Sequence, residues 1–160
     1  MLVLYRISGK AYLPQDPSGA ALSSEGRWHK KGQHVLHFSS SLPMCILELG
    51  ANSLSYKTIR ETNHHGTATL PEGFTSEGVS ADFYRDEWQS TKDLSQAFGS
   101  AWYAQKRTLV LVVKSSVLPT ENNFIINTSH SDFHMITFSA PMPIPLDTRL
   151  IEKEDPESYS

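Results

Sequence analysis

Cysteine is almost missing from this chain. Cys45 is its only one, so no internal disulfide can form and no cysteine-rich zinc site is available. Positive charge is also scarce: fourteen Lys and Arg stand against seventeen Asp and Glu, a net charge of −3 at pH 7. A general nucleic-acid binder needs a basic surface that neutralises several phosphates, so direct nucleic-acid binding is not expected. That balance still allows a local basic pocket. No run reaches about 18 consecutive apolar residues, which leaves no candidate membrane span. The amino terminus, MLVLYRISGK, has a short apolar run that contains Arg6, with no basic leader before it, and does not read as a signal peptide. The expectation is a cytoplasmic protein. Also missing are a GxGxxG turn after a strand, a P-loop, an HExxH helix and a GxSxG elbow. His64 and His65 are adjacent with no third ligand at a useful spacing, so no metal is expected. There is no internal repeat, low-complexity segment or domain boundary.

What is present suits one globular domain. The chain has 160 residues, 39% hydrophobic and 19% charged, enough to bury a core without staples. Leu2 to Ile7 reads as an opening strand, and residues 11–21 as a loop rich in turn signals. Residues Gly26 to Gly32 make a tight connection into a strand over Gln33 to Ser39, with Val35 and His37 on one face and Leu36 and Phe38 on the other. Ser40 or Ser41 caps a helix that tolerates Pro43 in its first turn and aligns Leu42, Cys45, Ile46 and Leu49 as an apolar stripe. Residues 52–80 are polar with strand-like fragments, and His64 and His65 read as solvated loop residues. A helix over Asp93 to Gln105 carries Leu94, Ala97, Phe98, Ala101 and Trp102 as its core face. Arg107 to Val113 is the clearest strand, apolar enough for burial on both faces, and it delivers Ser115 to its mouth. Residues 138–150, with three prolines, read as irregular with one edge strand, and IEKEDPESYS at 151–160 as a polar acidic tail. Strand and helix signals mix without regular alternation, which predicts an α+β fold, a central mixed sheet flanked by helices, over residues 1–150.

The stretch SEGRWHKKGQHVLHFSSSLPMCILE, Ser24 to Glu48, concentrates the candidate chemistry. An arginine, an aromatic ring, small hydroxyls and a carboxylate could grip a phosphorylated ligand and stabilise a developing cation. A surface hairpin leading into an ordinary helix fits the same composition. Glu48 lies at the border of the apolar stripe, neither clearly solvated nor clearly core. Cys45, on the stripe, reads as an inert core thiol. His130 and Asp132 with Ser115 make a triad only by residue type, which chance explains.

An ordered set of fragments carries a resemblance. Tyr5–Arg6, GRW at Gly26 to Trp28, Gly32, VLHFSS at Val35 to Ser40 and ILE at Ile46 to Glu48 are followed by SQAFGSAW from Ser95, LVVKSSVLP from Leu111, NNFIIN with His130 downstream, and PLDTRL from Pro145. In that order, over nearly the whole chain, they resemble the RES-domain family, named for an arginine, a glutamate and a serine. The resemblance identifies these as Arg27, Glu48 and Ser115. It implies a bacterial toxin of a type II toxin–antitoxin pair, folded like ADP-ribosyltransferases, that consumes NAD by phosphorolysis or hydrolysis of the nicotinamide–ribose bond. Inorganic phosphate is then a candidate co-substrate. The partner it implies is an Xre-type helix-turn-helix antitoxin covering the active site; a homodimer is compatible with it. Alternatives are a mono-ADP-ribosyltransferase acting on a cellular protein, and a binding module that keeps the fold without the activity.

In the implied chemistry Glu48 stabilises an oxocarbenium-like ribose as neutral nicotinamide leaves. Arg27 offers a planar fork of donors to pyrophosphate or to attacking phosphate. Ser115 hydrogen-bonds the ribose or the nicotinamide amide, Trp28 is either a stacking wall or a buried structural ring, and Arg6 is a second phosphate contact. Two positions depart from the family's pattern. His37 stands where the family usually has tyrosine, eleven residues before the glutamate, and Lys114 replaces the proline before the serine. A histidine at position 37 can still stack on nicotinamide or donate to a phosphate.

Overall fold

A computed structural model describes residues 1–13, 25–52, 54–85 and 87–153. Among these, eight strands form one sheet: β1 (Leu2–Ser8), β2 (Val35–Ser39), β3 (His64–Leu70), β4 (Ser76–Gly78), β5 (Val110–Lys114), β6 (Asn122–Asn127), β7 (Thr137–Phe138) and β8 (Met142–Pro143). The order is β4-β5-β6-β2-β1-β3-β7, with β8 also paired to β3. The β4–β5 pair is parallel and the other pairs are antiparallel, so the sheet is mixed. Four helices accompany it: α1 (Leu42–Ala51), α2 (Tyr56–Thr62), α3 (Asp93–Gln105) and α4 (Thr148–Glu152). The architecture is the α+β one expected.

Period-two alternation divides the core between the two faces of the sheet. On one face Leu4, Leu36, Phe38, Ala68, Leu70, Val110 and Ile126 pack together. On the other, Val35, Leu111, Val113 and Ile125 pack beneath Trp28, Trp88 and Trp102. Strand β5, between the edge strand β4 and β6, thus feeds both clusters. Further along that second face the same strands line an open cleft.

Helix α1 starts where the hydroxyl of Ser41 accepts the Met44 N–H at 3.4 Å, with Pro43 in the first turn, where its missing N–H costs nothing. It packs on β1 and β2, and the Cys45 thiol points at the Tyr5 carbonyl, 3.2 Å away. The polar side of this helix border, three residues on, is Glu48.

Helix α3 has the predicted span and buries Trp102 as expected, with Phe98 packed against the same cluster, but the rest of its inward face differs. Ser95, Gly99 and Trp102 point inward, whereas Leu94 is 69% exposed and Ala97 is exposed. The cause is a close approach: a Cβ on Gly99 would lie 1.8 Å from the Trp28 carbonyl oxygen. Only glycine lets the helix sit on the backbone of the preceding connection, and that contact sets the rotation of the whole helix. That connection is itself a tight turn, closed by the Gly26 N–H donating to the His29 carbonyl at 3.1 Å. It reaches β2 through Gly32, whose φ of 87° falls in the left-handed region.

Three further expectations change. Residues 56–62, within the stretch read as polar with strand-like fragments, form α2, with Ile59 its one buried residue. His64 and His65 are not loop residues: they open β3, opposite Pro143 and Met142. The proline-rich 138–150 segment supplies β7 and β8 to β3, and α4 runs into the predicted tail as far as Glu152. The loop predicted at 11–21 lies mostly outside the described residues, beginning with a short 3-10 turn over Lys10–Tyr12. The remainder of the tail, from 154, lies outside them too.

Candidate active site

The cleft has a volume of about 620 Å³. Its floor is the second face of the sheet at His37, Ser39, Val113 and Asn123; one wall is α1 with Cys45 and Glu48; another is the turn from Glu25 to His29. Arg6, Arg27, Lys92 and Lys114 line it against the carboxylates Glu25 and Glu48. A chain of net charge −3 therefore lines this cleft with more cations than anions.

Glu48 is fixed through one oxygen. Its Oε1 accepts the Ser115 hydroxyl at 2.5 Å and the Asn123 amide Nδ2 at 2.7 Å. Among the described residues no hydrogen bond is made to Oε2, which leaves that oxygen for whatever enters the cleft. Asn123 is fixed in turn, since its Oδ1 accepts the Ser39 hydroxyl at 2.8 Å. Ser115 sits just past the end of β5 and is fully buried. Besides donating to Glu48, its Oγ accepts the backbone N–H groups of Val117 and Leu118 at 3.1 and 3.0 Å. Its hydroxyl is thus spent beneath the carboxylate. In this structure the Ser115 hydroxyl therefore meets Glu48 and the backbone, where the sequence reading has it hydrogen-bond the ribose or the nicotinamide amide.

Arg27 reaches across the turn to the segment after Trp88. Its two terminal nitrogens donate to the carbonyls of Trp88 (3.0 Å), Gln89 (2.6 Å) and Thr91 (3.3 Å), and the guanidinium lies 5.5 Å from the Trp88 ring centroid. Partial burial lowers its pKa while the nearby Glu48 charge raises it, and the group stays charged at neutral pH. Of five N–H donors, three face these carbonyls, so Nε and one terminal N–H remain for a ligand. Trp28 resolves toward structure: it is 4% exposed and packs on Phe83 and Phe98 at 5.5 and 6.3 Å, touching the cleft only at its border.

His37 projects from β2 into the cleft, with its Nε2 3.1 Å from Nδ1 of the buried His29. The ring is exposed on its cleft side while protein groups surround the rest of it. Loss of bulk solvent, then His29 and the Arg6 charge, lower its pKa, so the imidazole is neutral at pH 7. Arg6 lines the cleft and donates to the Tyr12 carbonyl at 2.9 Å. Burial pushes the Cys45 thiol up to about 11, which suits an inert core thiol.

The structure thus brings Arg6, Arg27, His37 and Glu48 to one cleft, with Trp28 at its border and Ser115 under it. The His130–Asp132 pair does not join them: His130 Nδ1 accepts the Asp132 backbone N–H at 3.1 Å and serves the local turn. Among the described residues no cluster of His, Cys, Asp or Glu could hold a metal ion, and no helix is long and apolar enough to cross a membrane. Sequence reasoning missed Asn123, Ser39, His29 and Lys92. An amide or hydroxyl on a strand carries no motif; the pairing of Ser39 with Asn123 across β2 and β6 becomes visible only once the register is known.

Comparison with known proteins places this geometry in context. The family model described as "RES domain" matches residues 3–147. A protein named Toxin Res from Yersinia enterocolitica is 27% identical over 93% of this chain and 99% of its own length. Another Toxin Res, from Photorhabdus laumondii, is 25% identical over 94% of this chain and 98% of its length. A Prs ADP-ribosylating toxin from Sphingobium is 26% identical over 90% of this chain and 92% of its length. In fold, the chain superposes on one from the crystal structure of the M. tuberculosis MbcT–MbcA toxin–antitoxin complex, with a TM-score of 0.67 and 15% identity, covering 89% of this chain and 84% of that one.

Proposed function

This chain belongs to the RES domain family, and from that membership and the cleft we propose that it is a toxin that cleaves the nicotinamide–ribose bond of NAD. The observation that carries the reading is Glu48: a carboxylate anchored by Oε1 with Oε2 open to a cation-lined cleft. When the glycosidic bond breaks, its electron pair leaves with nicotinamide as a neutral ring, and positive charge develops over the ribose C1′ and ring oxygen. A fixed carboxylate beside that sugar stabilises the charge as it forms and needs no reorganisation. The pyrophosphate, which carries the negative charge of the substrate, suits the cations of the cleft, with Arg27 and Arg6 as its contacts. His37, neutral at pH 7, is positioned to stack on or donate to the leaving ring.

The acceptor decides the outcome. Water gives ADP-ribose, inorganic phosphate gives its phosphorylated product, and a protein side chain gives an ADP-ribosylated protein. The name of the Sphingobium relative favours keeping the last as a second reading. The toxin–antitoxin complex that shares this fold supports a protein antitoxin as partner, of Xre type in our reading. Incubating the purified chain with NAD, with and without phosphate, and weighing the products by mass spectrometry tests these readings. Phosphate-dependent loss of NAD identifies a phosphorylase, phosphate-independent loss a glycohydrolase, and label on added protein a transferase. Intact NAD with phosphate, without it and with added protein contradicts the proposal and leaves the binding-module alternative.

A further inference from the structure

We propose that Asn123, supported by Ser39, is a positioning residue of this site: the Asn123 amide fixes Glu48 so that Oε2 alone works in the cleft. Three elements converge on Glu48 Oε1. Ser115 comes from the end of β5, Asn123 from β6, and the carboxylate itself from α1. Asn123 is well placed to act as a rigid support. It pairs with Ser39 of β2 on one side and with Val113 of β5 on the other, so its backbone is held in the middle of the sheet.

The orientation of its amide follows from chemistry. The Ser39 hydroxyl donates to Oδ1 at 2.8 Å, and Nδ2 then faces Glu48 at 2.7 Å. The flipped amide would set an oxygen against a carboxylate oxygen and lose the bond to Glu48, whereas the Ser39 hydroxyl can serve either orientation, as donor to Oδ1 or as acceptor from Nδ2. The acceptor-only carboxylate of Glu48 therefore selects the orientation in which Asn123 donates, and Ser39 completes it by donating to Oδ1. With Ser115 as the only remaining donor to its side chain, Glu48 could rotate about that single bond. With two, from different strands, the plane of the carboxylate is defined.

The consequence for turnover rests on the NAD reading above; the fixing of Glu48 does not. A carboxylate displaced by about 1 Å loses much of its effect on a developing charge, at a cost on the order of 10-fold to 100-fold in rate. N123A is expected to lower kcat by that factor while KM for NAD stays within about twofold, because binding groups elsewhere in the cleft are untouched. N123D keeps the shape and still accepts from Ser39, but sets a second carboxylate against Glu48 at pH 8. Arg6, Arg27, Lys92 and Lys114, with His37 and Glu25, line the same cleft; among them the new pair takes up one proton as the pH falls and can share a hydrogen bond again. The kcat deficit of N123D should therefore shrink between pH 8 and pH 5.5. A merely structural role for Asn123 would lower the melting temperature without producing that pH dependence.

The test combines steady-state kinetics of wild type, N123A and N123D with crystal structures of wild type and N123A. The proposal is supported by a kcat loss at unchanged KM, by recovery of N123D toward acid, and by a Glu48 side chain that leaves its single position in N123A. It is overturned if both variants keep kcat within twofold of wild type, or if Glu48 stays on Ser115 in one unchanged position in N123A. If wild type leaves NAD intact, the NAD reading fails by itself, and the two crystal structures decide the role of Asn123.

Discussion

Ser115 shows why residue type and residue role come apart in this site. A serine at the mouth of an apolar strand invites a reading as a ligand contact. Its actual neighbours are a carboxylate oxygen and two backbone N–H groups, all protein. S115A removes one donor from Glu48 and strands two amide donors, so it should cost roughly 1–3 kcal/mol of stability as well as activity; thermal melting and kcat measured together check this. A loss of activity with unchanged stability would instead favour direct contact with substrate. His37 is the other residue with a consequence of its own. Its folded pKa is lowered, so below about pH 6.5 the unfolded chain binds a proton that the folded chain refuses. Stability is therefore lost as pH falls from 7 toward 5. H37N should flatten that slope, as melting temperatures across this range would reveal; an unchanged slope would mean that the ring titrates normally in the cleft.

Among elements, α3 and the turn that it packs on determine where Arg27 and Trp28 lie. The ends of α3 were legible because an acidic first turn and a run of helix formers bracket it; its buried face was legible only in part. Leu94 is the more apolar choice, but the contact that wins is between Gly99 and the Trp28 carbonyl, and no periodicity reports a backbone-to-backbone approach. G99A should therefore destabilise by roughly 2–3 kcal/mol as an overpacked contact. It should also reduce turnover by moving the turn that carries Arg27, which melting and NAD assays on one preparation check. A neutral G99A would show that the helix can shift at little cost. Helix α2 was missed for a complementary reason: with Ile59 as its one buried residue it has no apolar stripe to read, and its stability comes from the Ser55 cap, whose hydroxyl accepts the Thr58 N–H at 3.1 Å, and from packing. At the site, Arg27 and Glu48 were singled out by the ordered fragments rather than by spacing. Asn123 was invisible, because its meaning lies in a partner 75 residues away.

Across the whole molecule, an acidic chain carries a cleft lined by Arg6, Arg27, Lys92 and Lys114. That separation of charge gives a chain of net negative charge a local field suited to a small anion. Ligand binding should then stabilise the fold: in an E48Q protein that cannot turn NAD over, saturating NAD should raise the melting temperature, through a stabilisation on the order of 2.7 kcal/mol at a hundredfold excess over Kd. The rise should shrink with added salt, as screening weakens the cationic contacts. No shift at any NAD concentration would argue that the cleft takes another ligand. The most direct measurement of the central claim is release of free nicotinamide from NAD by purified wild type and by E48Q, side by side. The account predicts steady release by wild type and at least a roughly 100-fold lower rate for E48Q, with melting temperatures that agree. Equal release by the two proteins, or none by wild type, would contradict it.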